Sequence, residues 1–145
     1  IVSWMAAQLI KSAIFIFRNK RIDFKTLSGS GGMPSAHSAL VCSDAVGTAH
    51  EYGFASPYFS LAFTLAVIVM YDAMGVRRAA GQQAKAINAI EEYLRDNKHS
   101  LPDEGKYLRD TVSGLNESLG HSPAEVFAGV VLGVCVAVVS IIWFH

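Results

Sequence analysis

From Pro123 to Phe144 the chain is apolar throughout, with no charge after Glu125. A stretch of this length and composition fits the hydrocarbon core of a bilayer as one helix, so the rest of the sequence has to be compatible with a membrane. Three further apolar blocks are: Ile1 to Phe17, interrupted by Gln8 and Lys11; an Ala-rich block from Pro34 to Tyr52; and Phe59 to Met74. This blocked pattern explains a composition of 52% hydrophobic and 17% charged residues in 145, too apolar for a soluble domain of that size. It predicts an all-α integral membrane helical bundle with about four transmembrane helices, forming one domain over residues 1–145.

Between the third and fourth blocks the chain turns polar, an interfacial insertion at 81–120. Ile87, Ile90 and Leu94 are spaced as one helical face, and Leu108, Val112, Leu115 and Leu119 as another, with Leu101-Pro102-Asp103 as the break between them. They predict one or two amphipathic helices at the membrane interface. Formal net charge is zero, which gives no reason to expect nucleic acid as a partner. Cys42 and Cys135 lie in apolar stretches, as buried free thiols do, and no Cys/His zinc spacing is present. No metal and no cofactor are expected. The chain opens on Ile1 without a signal-peptide pattern, as a processed product would.

The ends of the apolar blocks carry the chemistry. Gly31-Gly32-Met33-Pro34-Ser35-Ala36-His37 is a glycine-rich turn entering a helix, with Pro34 suited to its first position and unsatisfied N–H groups in front. Gly120-His121-Ser122-Pro123-Ala124-Glu125 places a second histidine ahead of the last helix, where Ser122 and Glu125 also read as a capping box. Gly129 and Gly133 form a small-xxx-small seam for helix packing. Tyr71-Asp72-Ala73-Met74-Gly75-Val76-Arg77-Arg78 closes the third block, with Gly75 able to bend the helix and two guanidinium forks shaped for phosphate. Lys11 and Arg18 share a face of the first helix, where they either snorkel or serve a site. Asp44, two turns beyond His37, either orients something in the bundle or holds structural hydrogen bonds.

With four crossings, the first ending at Arg18, one membrane surface collects Arg18, His37, Asp72, Arg77, Arg78, His121 and Glu125. Nearly all lysines and arginines fall there too, which by the positive-inside rule makes it the cytoplasmic-equivalent face. Two histidines among cations suit phosphoryl transfer through a covalent histidine. His121 would attack phosphorus, Glu125, four residues on, would hold its ring, and His37 would donate the proton to the leaving oxygen.

The strings GGMPSAHSA, YDAMGVRRAAGQQA and LGHSPAEVFAGVVLG together resemble the divergent, integral-membrane branch of the type 2 phosphatidic acid phosphatase superfamily, the acid phosphatase/vanadium-dependent haloperoxidase-related proteins. The resemblance covers essentially the whole chain. Lys11 and Arg18 match the superfamily's lysine, six residues, Arg-Pro, with Asn19 for the proline. Pro34-Ser35-Ala36-His37 matches Pro-Ser-Gly-His, which implies a general acid at His37 and phosphate binding at Ser35. His121 and Glu125 match the nucleophile and its orienting acid, glutamate replacing aspartate, while the motif's arginine falls on Leu115. Arg77 or Arg78 is positioned to replace it. The resemblance implies metal-independent hydrolysis of a lipid or isoprenoid phosphate or diphosphate, with the tail in the lipid bilayer. It leaves room for a homodimer, and for an inactive phosphate- or lipid-binding or structural protein of the same fold.

Overall fold

A computed structural model describes residues 1–19, 32–96, 115, 117 and 119–144. The described residues form helices α1 (Val2–Asn19), α2 (Ala36–Tyr52), α3 (Pro57–Met74), α4 (Val76–Asp96) and α5 (Pro123–Phe144). The expected break at Leu101-Pro102-Asp103 and the face drawn through Leu108 and Val112 lie outside them.

The helix boundaries follow from local chemistry. Ser56 Oγ accepts from Phe59 N at 3.1 Å with Pro57 in the first turn, so α3 starts on a serine cap. Gly53, at φ 80°, ends α2, its N–H donating to the Ala49 carbonyl at 2.9 Å. The start of α2 corrects the sequence expectation. Pro34 precedes the cap, and Ser35 is the cap itself, taking the Ser38 N–H on its Oγ at 3.4 Å, an interaction proline cannot offer. At the end of α5 that carries Glu125, the capping box forms as expected. Ser122 N donates to Glu125 Oε2 at 2.9 Å, and Glu125 N donates to Ser122 Oγ at 3.4 Å.

Helix α2 is the centre of the bundle and packs against α1, α3 and α5. Small residues make this approach close. A Cβ on Gly129 would strike the Ser35 carbonyl and Ser38 Cβ, and one on Gly133 would strike the Ala39 carbonyl. The glycine seam of α5 therefore seats against backbone of α2. Ala7 of α1, with Ala36 and Ala39 of α2, forms the buried centre, flanked by Leu132. In lipid no hydrophobic gain accompanies helix association, so packing of small residues and interhelical hydrogen bonds carry it. Ser3 and Ser43 share such a bond at 2.6 Å.

The helical stretch beginning at Pro57 and helix α5 are long and apolar enough to cross a bilayer, and Val2–Phe17 is a shorter apolar helix. Large apolar side chains face outward, among them Leu61, Ile68, Phe127 and Ile142. This is an all-α membrane bundle, apolar outside and close-packed with small residues within.

Two sequence expectations need correction. Cys42 is buried, but Cys135 is exposed, because α5 turns Gly129, Gly133 and Ala137 inward and position 135 falls outside that stripe. Asp44 is exposed as well, since α2 presents Ala36, Ala39, Cys42, Ala45 and Ala49 to its neighbours and leaves the Asp44 face uncovered by them.

Candidate functional site

The beginnings of α2 and α5 and the end of α3 meet at one end of the bundle, tied by two backbone hydrogen bonds. Ser35 N donates to the Glu125 carbonyl at 3.0 Å, and His121 N donates to the Ala73 carbonyl at 3.0 Å. The first bond fixes α2 to α5, and the second hangs the histidine from the last turn of α3.

The loop ahead of α5 is held just as closely. Gly120 has φ 86°, and a Cβ there would collide with the backbone of Arg77 and Arg78. Only glycine allows both the left-handed backbone and this contact. His121 is thus set beside the α3–α4 corner, where Gly75 leaves the helical path between Met74 and Val76, as its position in the sequence suggested. Helix α4 begins there, five residues before the expected polar insertion, because Arg77 and Arg78 continue the helix after the bend.

His121 is 4% exposed, and its Nε2 is buried without a hydrogen-bond partner among the described residues. Burial pushes its imidazole below the ordinary value of 6.5; the Glu125 carboxylate opposes this, and Lys11, His37 and Arg77 add to it. Four of the sequence-predicted residues, one from each of α1, α2, α4 and α5, are therefore close enough to act on one ring.

Each reaches it differently. Lys11 is 5% exposed, its stem lying 3.6–3.8 Å from where a Cβ on Gly32 would be. His37 is exposed in the first turn of α2. Arg77 is paired through Nε with the Asp72 carboxylate, and both side chains remain partly open to the surface. Glu125 is committed through Oε2 to the Ser122 N–H while its charge acts on His121. Ser35 is fully buried, and its Oγ accepts from Ser38 Oγ at 3.0 Å as well as from the Ser38 amide. Arg78 is exposed, with its backbone under Gly120. The side chain of Arg18 lies outside the described residues.

A model of the Divergent PAP2 family matches residues 1–136. The chain belongs to that family. It is also similar to the uncharacterized membrane protein YuiD of Bacillus subtilis (strain 168), at 37% identity over 139 residues, covering 95% of this chain and 88% of the relative. No solved structure matches. The family is phosphatase-related by its description, and the fold is that of a helical membrane bundle. For a Divergent PAP2 protein, the lipid bilayer is the medium in which the bundle's exposed apolar surface has to be understood.

Several positions that shape the site were not singled out by motif. Asn88 of α4 donates to the Leu115 carbonyl at 3.0 Å and to Glu117 Oε1 at 2.8 Å, and its own oxygen accepts from Leu115 N at 3.3 Å. Gly81 lies under the carbonyls of Leu119 and Glu117. These contacts hold the approach to His121 along α4, while Ile87 and Ile90 remain exposed on another face of that helix. A polar residue one turn from Ala84 within an amphipathic helix was the available signal. The side-chain oxygen of Gln8 is a second buried atom without a partner among the described residues.

Proposed function

We propose that this protein is a membrane phosphatase that hydrolyses a lipid or isoprenoid phosphate or diphosphate through a phosphohistidine at His121. One observation carries the proposal: a buried imidazole, biased toward its neutral form, whose Nε2 has no partner among the described residues and which lies within the fields of Lys11, His37 and Arg77. A neutral ring nitrogen of this kind is a nucleophile, and fixed positive charge around it stabilises the oxygens of a transferring phosphoryl group.

In the first step the Nε2 lone pair bonds to phosphorus while the phosphorus–oxygen bond to the leaving group breaks. The released oxygen keeps that electron pair and takes a proton from the His37 imidazolium. Water then bonds to phosphorus through its oxygen, the phosphorus–nitrogen bond returns its pair to Nε2, and His37 recovers a proton from the water. Lys11, Arg18, Arg77 and Arg78 hold phosphate oxygens, and Asp72 keeps Arg77 in place. Ser35 keeps its own hydroxyl proton available to an oxygen acceptor after capping α2. Glu125 fixes the Ser122 turn and offsets the charge on the substituted His121 ring.

In this proposal α1, α2, α3 and α5 each cross the bilayer, with the site at the cytoplasmic-equivalent face. A second reading, phosphate or lipid binding without turnover, is favoured by one observation: Leu115, where the superfamily has arginine, is 37% exposed and carries no charge. Phosphate release from a lipid phosphate in detergent, together with trapping of an acid-labile, alkali-stable phosphoprotein, decides between the two. Turnover and trapping that both vanish in His121→Ala support the phosphatase; vanadate binding without turnover supports the second reading.

A further inference from the structure

A cavity of about 650 Å³ lies between α2, α3 and α5, on the membrane side of the site. Its end nearer the site is marked by Cys42 and Met70, whose sulfur atoms are 3.9 Å apart. Ala45, Ala49 and Ala66 keep its walls thin. Its far end is lined by aromatic rings, with Phe54 and Phe59 in edge contact at 5.1 Å and Phe59 and Phe63 at 5.7 Å, and it stays open on the side where Phe54 and Phe63 are exposed. Among the described residues, Cys42 and His50 are the titratable side chains that line it.

We infer that this cavity seats the hydrocarbon chain of the substrate. The inference rests on the phosphate site proposed at His121. The three helices whose ends meet at that site also line the cavity. Along α2, Ser35 at the polar end and Cys42 at the cavity's near end are seven residues apart, roughly 10 Å at the helical rise. A chain attached to a phosphate at the helix starts has that distance to span to reach the Cys42–Met70 end. Ala73, whose carbonyl holds the His121 amide, lies one turn beyond Met70 on α3, so the two regions are joined along this helix too.

Size selects the occupant. A methylene takes about as much room as a water molecule, roughly 30 Å³, so the cavity holds on the order of twenty chain atoms. That matches one hydrocarbon chain, polyprenyl or single-acyl.

Two readouts test this, one of them independent of turnover. In a Cys135→Ala background, Cys42 is the remaining thiol, and its alkylation by a small lipophilic reagent is followed with and without ligand. A long-chain monoalkyl phosphate should slow alkylation about tenfold, whereas inorganic phosphate alone should not. Ala66→Leu, which fills the cavity, should abolish that protection and raise KM for the long-chain substrate about tenfold, with a short-chain phosphate unaffected. Ala66→Leu is first checked for unchanged helicity and a single elution peak. A polyprenyl phosphate and a single-acyl phosphate of matched length are compared to distinguish the two chain types. Protection by inorganic phosphate alone, or equal protection at every chain length, overturns the inference. Protection without turnover of any substrate leaves the cavity assignment standing and removes the phosphatase proposal instead.

Discussion

The amide of His121 is held by the carbonyl of Ala73 at 3.0 Å, so a loop residue ahead of the last helix is positioned by the last turn of the third. The bond joins positions far apart in the chain and sets the histidine beside Arg77. What fixes this geometry is backbone, and its weak points are therefore glycines and caps more than charged residues.

Gly120→Ala is the sharpest test of that geometry. The added methyl meets the backbone of Arg77 and Arg78 at a residue whose φ is 86°, and neither neighbour is a flexible side-chain end. The left-handed backbone alone costs about 1–3 kcal/mol for a non-glycine residue in a sparsely populated region. Phosphate release should fall by at least about 100-fold, the scale of a displaced catalytic group, while helicity by circular dichroism stays near that of the parent. Full activity in this variant would mean that the His121 loop need not sit on the α3–α4 corner.

Gly133→Leu tests the packing separately from the site. Its Cβ would strike the Ala39 carbonyl, so α5 has to move away from α2. Overpacking of this kind costs about 1–3 kcal/mol or more. The expected result is a lower thermal midpoint in detergent, with Gly133→Ala intermediate between the parent and the leucine variant.

These glycines show what the sequence made legible. Gly129 and Gly133 stood out because small residues four apart in an apolar helix have one common use, and the Ser122–Glu125 capping box was readable from residue types alone. Asp44 was not, because whether an acidic residue on α2 faces the bundle depends on which of its sides α1, α3 and α5 occupy, and periodicity does not say so. Pro34 misled for a local reason: proline suits a first helical position, but the serine after it offers a cap, and the cap decided where the helix began. Asn88 was hidden because its partners, Leu115 and Glu117, are brought to it only by the folded chain.

Arg77→Ala should weaken vanadate binding and raise KM, each by about tenfold as for loss of a charge-assisted phosphate contact, with a smaller effect on kcat. Asp72→Asn removes the carboxylate that holds Arg77, and should give a weaker version of the same change. Arg78→Ala serves as the comparison, since it removes the other guanidinium without touching the pair with Asp72. If Arg78→Ala is the more damaging change, Arg78 and not Arg77 stands in for the superfamily's arginine.

The pH dependence of turnover reports on His121 directly. Its imidazole titrates below 6.5 because it is buried, with Lys11, His37 and Arg77 adding to the downward shift and Glu125 opposing it. Protonation removes the nucleophilic lone pair, so the acid limb of kcat/KM set by His121 should fall below pH 6.5, while loss of the His37 proton that goes to the leaving oxygen sets the opposing limb. Glu125→Gln removes a charge that raises the imidazole, so the acid limb should move to still lower pH; Lys11→Met removes a charge that lowers it, so the limb should move up. His37 titrates in the same field, and its substitution by Gln separates the two histidines, since a limb that persists in His37→Gln belongs to His121. An acid limb at or above 6.5, unmoved by either Glu125→Gln or Lys11→Met, would place the titrating nucleophile somewhere other than this ring.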